Sequence, residues 1–173
     1  AQYRAHYDHV LIDLKQEDDL RVVDEDGFNL RPALSADGRV VAASNWGQVT
    51  AVDVGSGHTV TSDVHNGSWY RTPVSVSPDG ASVAFSTGDD GGAVPAVEVL
   101  DVPTGITHEI APLLGSYHPW FLADGRRIVV VTSRDVAGTN PSRRPSLITY
   151  DLDTGDAVNI GPASPYVEGV VSA

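Results

Sequence analysis

The chain is predicted to be all-β, a set of repeated four-stranded antiparallel sheets, and three observations lead there. The first is composition. Of 173 residues, 41% are apolar, Gly and Pro number 17 and 11, and Met is absent. Val, Thr, Ser and Asp outnumber the helix-favouring Lys, Glu, Gln and Met, the balance of a chain of strands and turns. The second is an internal repeat: Arg31-Pro32-Ala33-Leu34-Ser35-Ala36-Asp37-Gly38 superimposes on Pro73-Val74-Ser75-Val76-Ser77-Pro78-Asp79-Gly80 and on Pro119-Trp120-Phe121-Leu122-Ala123-Asp124-Gly125. The third is the period. Asp37, Asp79 and Asp124 stand 42 and 45 positions apart, a spacing at which sheet-forming repeats recur.

Each repeat reads as four strands. The first ends in the Asp-Gly turn, and a second apolar strand follows at Val40 to Ala43, Ser82 to Phe85 and Arg127 to Val131. Asp-Gly between two such runs is a strong hairpin signal. A third strand closes on an Asp at Val49 to Asp53, Val97 to Asp101 and Leu147 to Asp151. Gly-containing turns come next (Gly55-Ser56-Gly57, Pro103-Thr104-Gly105, Asp153-Thr154-Gly155), then fourth strands at His58 to Thr61, Thr107 to Ile110 and Ala157 to Ile160.

Four strands, three tight turns and one longer link make a β-propeller blade, so blades are expected at residues 30–63, 72–111 and 118–161. A β-sandwich also gives short strands with frequent turns, but it does not predict the same turn chemistry in the same order three times. At this length the chain is one domain with a sizeable core.

The two ends complement each other. Gln2 to Tyr7, His9 to Leu14 and Asp19 to Val23 read as second, third and fourth strands without a first. Glu168-Gly169-Val170-Val171-Ser172-Ala173 aligns with Arg31 to Ala36, a first strand without successors. A further blade is therefore expected from residues 1–25 plus 166–173, the C-terminal strand completing the N-terminal blade of a four-bladed ring. Such closure removes free sheet edges. The alternative is part of a larger propeller, or half of one completed by a second copy.

The order Ser-Pro-Asp-Gly, apolar strand, polar loop, apolar strand, Asp, Thr-Gly, clearest from Ser77 to Gly105, resembles the TolB-type, WD-repeat-like propeller repeat. The resemblance spans nearly the whole chain and implies the fold only, because this repeat serves many functions. Propellers of that kind usually have roughly six or more blades, more than this length provides. It also implies an extracytoplasmic location, secreted or periplasmic; the start at Ala1-Gln2 instead of Met fits removal of an initiator Met or a signal peptide.

Charge and motifs exclude several functions. A formal charge of −12 disfavours nucleic acid, whose binders pair Lys and Arg with phosphates. Without Cys there is neither a disulfide nor a thiolate metal site, and the longest apolar stretches, such as Ile128 to Val131, are too short for membrane insertion. There is no Gly-x-Ser-x-Gly elbow, His-Glu-x-x-His pair, phosphate loop or dinucleotide fingerprint, so no catalytic residue and no cofactor is expected. The His residues at 6, 9, 58, 65, 108 and 118 are scattered, and His6 and His9, three apart in a strand, point to opposite faces. Asp24-Glu25-Asp26 and Asp89-Asp90 lack the spacing of a calcium loop and read as solvated turns, so no metal is expected either. Asn66-Gly67-Ser68 is formally a glycosylation acceptor.

In a propeller the interblade links and the loops between second and third strands emerge on one face, the Asp-Gly and Thr-Gly turns on the other. The links at Asp24 to Asn29, Asp63 to Thr72, Leu113 to His118 and Gly161 to Glu168 are rich in aromatic and hydrogen-bonding residues, which suit recognition. The candidate ligand- or partner-binding residues there are Arg31, Trp69, Tyr70, Arg71, Tyr117, His118 and Glu168. Trp120 and Phe121 are expected to pack between blades. Aligning the blades by their turn Asp brings Arg31, Thr72, His118 and Glu168 to equivalent positions before each first strand, as a polar ligand site or a structural Arg–Glu pair. Of the insertions Thr87 to Pro95 and Ser133 to Pro145, the second adds Arg143 and Arg144, positive charge in an acidic chain. The expected function is a non-catalytic binding module, monomer or homodimer, for a protein or peptide partner. A carbohydrate-binding (lectin-like) propeller and the propeller portion of a larger hydrolase are the alternatives.

Overall fold

The computed structural model describes residues 9–12, 20–24, 32–45, 48–62, 73–87 and 94–163. Three four-stranded antiparallel sheets follow one another along the chain. The first runs in the order β3 (Ala33–Leu34), β4 (Val40–Asn45), β5 (Gln48–Asp53) and β6 (Thr59–Thr61), counting from the pair β1 (His9–Ile12) and β2 (Leu20–Asp24) that precedes it. The second comprises β7 (Ser75–Val76), β8 (Ser82–Thr87), β9 (Ala96–Asp101) and β10 (Thr107–Glu109). The third comprises β11 (Ser116–Phe121), β12 (Arg127–Thr132), β13 (Ser146–Asp151) and β14 (Ala157–Pro162). In each, neighbours in space are neighbours in sequence, the up-and-down order of a propeller blade.

Strands β1 and β2 pair antiparallel where the sequence leads one to expect third and fourth strands. The expected second strand at Gln2 to Tyr7 and the closing strand at Glu168 to Ala173 lie outside the described residues.

Period-2 alternation explains how the sheets stack. Along β8, Val83 and Phe85 join Val40, Val49 and Val76 in one core, whereas Ala84 joins Phe121, Ile128, Val130 and Ile148 in the next. The middle sheet thus buries one face against each neighbour, which is why its strands read as near-continuous apolar runs.

Two turns repeat in chemical detail. In the first hairpins, Gly38 N–H donates to Ser35 O at 3.0 Å and Ser35 N–H to Val40 O at 2.9 Å; Gly80–Ser77 with Ser77–Ser82, and Gly125–Leu122 with Leu122–Arg127, repeat the pair. Gly takes the last position of each turn at a φ of 70–73°, where a side chain is strained. The Ser35 hydroxyl donates to Asp37 Oδ1 at 2.6 Å and accepts Val40 N–H at 2.9 Å, and Ser77 does the same with Asp79 and Ser82 at 2.7 and 2.9 Å. The third turn has Leu122 in place of Ser, and there the Arg127 guanidinium reaches Asp124 Oδ2 at 2.5 Å.

In the turns between third and fourth strands, the N–H groups of Gly57, Gly105 and Gly155 donate to Asp53, Asp101 and Asp151 O at 2.8, 2.8 and 2.9 Å. The two turns of each sheet lie at the same end, joined by Val54 N–H to Arg39 O, Val102 N–H to Ala81 O, and Leu152 N–H to Arg126 O. Arg39 and Arg126 add ion pairs of 3.0 Å to Asp53 and Asp151.

Candidate functional site

At the opposite end of the strands, β11 differs from its counterparts. The first strands β3 and β7 are two residues long, while β11 has six, Ser116–Phe121. The sequence places Tyr117 and His118 in an interblade link; the structure places them in this strand. The reason is a bulge. Tyr117 pairs with Val131 and Trp120 with Val129, and the register shifts between them, so two residues are set outside the ladder where Pro119 has no N–H to donate.

His118 takes up that bulge with a φ of 55°, a left-handed conformation that a non-Gly residue holds only when its surroundings enforce it. The enforcement comes from the preceding sheet: Ser86 Oγ, buried, accepts His118 N–H at 2.9 Å, and Ser75 Oγ accepts Phe121 N–H, also at 2.9 Å. Two serines of one blade therefore hold the edge strand of the next.

Tyr117, His118 and Trp120 form an edge-to-face series, with ring centroids 5.2 Å apart for Tyr117–His118 and 5.9 Å for His118–Trp120. Such geometry aligns ring edges with π faces. Tyr117 is 37% exposed, and His118 and Trp120 are partly so. Phe121 is buried between blades, as expected; Trp120 is not. Adjacent strand residues point to opposite faces, so Trp120 and Phe121 lie on different sides of the sheet.

The 133–145 loop lies at this same end, because β12 runs away from the turns. Asn140, 1% exposed, is its hub. Asn140 N–H donates to Asp135 Oδ1 at 2.9 Å, its amide nitrogen donates to Arg144 O at 2.9 Å, and its Oδ1 accepts the Ser142 hydroxyl at 3.2 Å. The loop projects Arg134, Arg143 and Arg144 into solvent. Arg134 lies across Gly115, where even a Cβ would collide with its side chain, so it stands beside the start of β11. Next in the chain, the Ser116 hydroxyl is buried with no hydrogen-bond partner among the described residues. Arg134 and Ser116 were not singled out from the sequence, since only packing brings them to this place.

Of the other predicted site residues, Arg31, Trp69, Tyr70, Arg71 and Glu168 lie outside the described residues. Among those described, no three His, Asp or Glu residues are grouped to hold a metal, and no helix is long and apolar enough to cross a membrane.

The turn face is different in kind. Hydrogen bonds hold its carboxylates ionised: the Ser35 hydroxyl beside Asp37, the Ser56 N–H beside Asp53, the Ser77 hydroxyl beside Asp79 and the Thr154 N–H beside Asp151 keep each below the usual carboxylate value. Asp124 falls to about 2 under the Arg127 N–H and guanidinium. This chemistry stabilises turns.

Sheet order, turn chemistry and interblade packing define an all-β protein of β-propeller blades. Within that class the chain resembles TolB-type propellers at the level of fold: it superposes on TolB from Acinetobacter baumannii with a TM-score of 0.58 at 18% identity, covering 89% of this chain and 37% of that one. Dipeptidyl peptidase 4 from Porphyromonas gingivalis gives a TM-score of 0.64 at 16% identity, over 92% and 29% of the respective chains. A chain of a nidogen/laminin complex gives 0.53 at 7%, over 88% and 56%. The chain thus spans well under two thirds of each of these structures. No protein-family model and no curated protein matches the sequence.

Proposed function

We propose that this chain is a non-catalytic binding module that takes a protein or peptide segment on the face bearing Tyr117, His118 and Trp120. The observation that carries the reading is the aromatic series itself, partly exposed on an edge strand and fixed by a left-handed His118 anchored to Ser86. Rigid aromatics of this kind give large contact area at small entropic cost. The absence of a nucleophile elbow or metal motif in the sequence supports a role without catalysis. One of the similar structures is that of a nidogen/laminin complex, which supports a protein partner. The TolB likeness supports an extracytoplasmic setting.

The test is selection of a random-peptide phage library on the purified chain, with the enriched peptides measured again on Tyr117→Ala/Trp120→Ala. Loss of binding in a variant that retains its thermal midpoint is the expected result; undiminished binding removes this face. The same aromatic series also suits a sugar ring, so a glycan array is run in parallel, and glycan hits without peptide enrichment would move the assignment to a lectin-like module. The similarity to dipeptidyl peptidase 4 keeps the propeller of a larger hydrolase as the remaining reading, favoured by peptides that bind and are cleaved only when a longer natural chain is used.

A further inference from the structure

We infer that residues 133–145 form a docking arch for a carboxylate-rich peptide segment, offering Arg134, Arg143 and Arg144, the first of them beside the start of the aromatic strand. This rests on the peptide-binding reading and gives the partner its charge. Six arginines have described side chains. Arg39, Arg126 and Arg127 are ion-paired to Asp53, Asp151 and Asp124 at the turn end. Arg134, Arg143 and Arg144 all lie on the opposite end, exposed, and make no ion pair among the described residues. In a chain with only 11 basic residues against 23 acidic ones, three guanidinium groups with no ion pair among the described residues stand on one loop.

The arch is built and not merely solvated. Asn140 and Arg143 close a turn, Arg143 N–H donating to Asn140 O at 3.1 Å with Pro141 second in the turn, where proline's fixed φ fits. The fourth position, at a φ of 51°, is held by Arg143, whereas Gly38, Gly80 and Gly125 fill the matching place in the first hairpin turns. Ala137 of the same arch also takes a φ of 51°, so these turns fix the shape of the loop and the case for the arginines rests on their charge. Val136, 2% exposed, roots the arch in the core, and Asn159 donates to Thr139 O at 3.0 Å from β14. The one carboxylate within the arch, Asp135, accepts the Asn140 N–H.

Guanidinium forks bind carboxylates bidentately. A nucleic acid or an anionic bilayer would need many more cations than three and would meet a net charge of −12. An acidic peptide needs only local complementarity.

Fluorescence anisotropy of labelled hexaglutamate, with a Gly-Ser hexapeptide as control, tests this on the whole chain. Hexaglutamate is expected to bind, more weakly as NaCl rises, and roughly tenfold more weakly to Arg143→Gln/Arg144→Gln, the scale of two or three exposed ion pairs. Arg143→Lys/Arg144→Lys, which keeps the charge and loses the fork, is expected to fall between. Equal affinity for wild type and the Gln variant at unchanged thermal midpoint would overturn the inference. So would oligonucleotide or phosphatidylserine-vesicle binding that depends on these arginines while hexaglutamate binding does not. Phage-selected peptides that require Tyr117 and Trp120 but are indifferent to the Gln variant would overturn it too and leave the peptide-binding reading intact.

Discussion

A single aspartate organises each first hairpin turn, and its neighbours decide how. Where Ser35 and Ser77 stand, the hydroxyl bridges the Asp carboxylate and the backbone at the start of the next strand; where Leu122 stands, Arg127 substitutes. Asp124 therefore has a folded-state pKa of about 2 against an ordinary 3.8. A value depressed by folding contributes stability above the unfolded pKa and loses it as pH falls through the folded one. The difference in thermal midpoint between wild type and Asp124→Asn is thus expected to hold steady above pH 5 and to close between about pH 4 and pH 2. A difference that widens on acidification would contradict this. Glycine at the same turns supplies a second check. Gly38→Ala meets open space and carries only the left-handed penalty of about 1–2 kcal/mol. Gly80→Ala would also press within 2.7 Å of a Val40 methyl in the adjacent sheet, adding about 1–3 kcal/mol of overpacking. Urea unfolding of the two variants should separate them in that order. These turn residues were legible in the sequence because Asp and Gly act through the local backbone. The left-handed His118 was not, since its conformation is imposed by Ser86 of another blade.

Strands and loops extend the same contrast. Apolar runs between repeated Asp and Gly turns identified the strands of the three four-stranded sheets, and the differences fall at ends, where β11 begins at Ser116 and takes in Tyr117 and His118. The repeat alignment started that strand at Pro119; a bulge extends it back to Ser116. Phe85, fully buried between the first two sheets, should be costly to truncate, with Phe85→Ala lowering stability by about 3–5 kcal/mol in the same urea experiment. Asn140 acts on one loop instead. Asn140→Ala removes a buried hub, a loss of about 1–3 kcal/mol, and should sensitise residues 133–145 to limited proteolysis while the sheets stay protected. Cleavage unchanged from wild type would mean that the arch is held by Val136 and Asn159 without it. The sequence showed this segment as an insertion with positive charge; its order comes from buried amide bonds that composition does not reveal.

At the scale of the molecule the two ends of the third sheet differ in chemistry. One end is closed by aspartate turns whose polar groups are occupied by one another, and the other, among the described residues, leaves aromatic and guanidinium groups exposed. The repeat made the propeller fold readable from three short segments, whereas Arg134 beside Gly115 and the Ser75 and Ser86 contacts to β11 exist only once blades are stacked. For a chain that binds as a monomer, light scattering should return a mass of 18.2 kDa; twice that mass would favour an interface between two copies. The central claim, that the face opposite the aspartate turns is the one that binds, is tested most directly by hydrogen–deuterium exchange of the chain with and without a phage-selected peptide. Protection is expected at Ser116–Phe121 and at residues 133–145, with none at the Asp37, Asp79 and Asp124 turns; protection at those turns with an unchanged β11 would contradict the account.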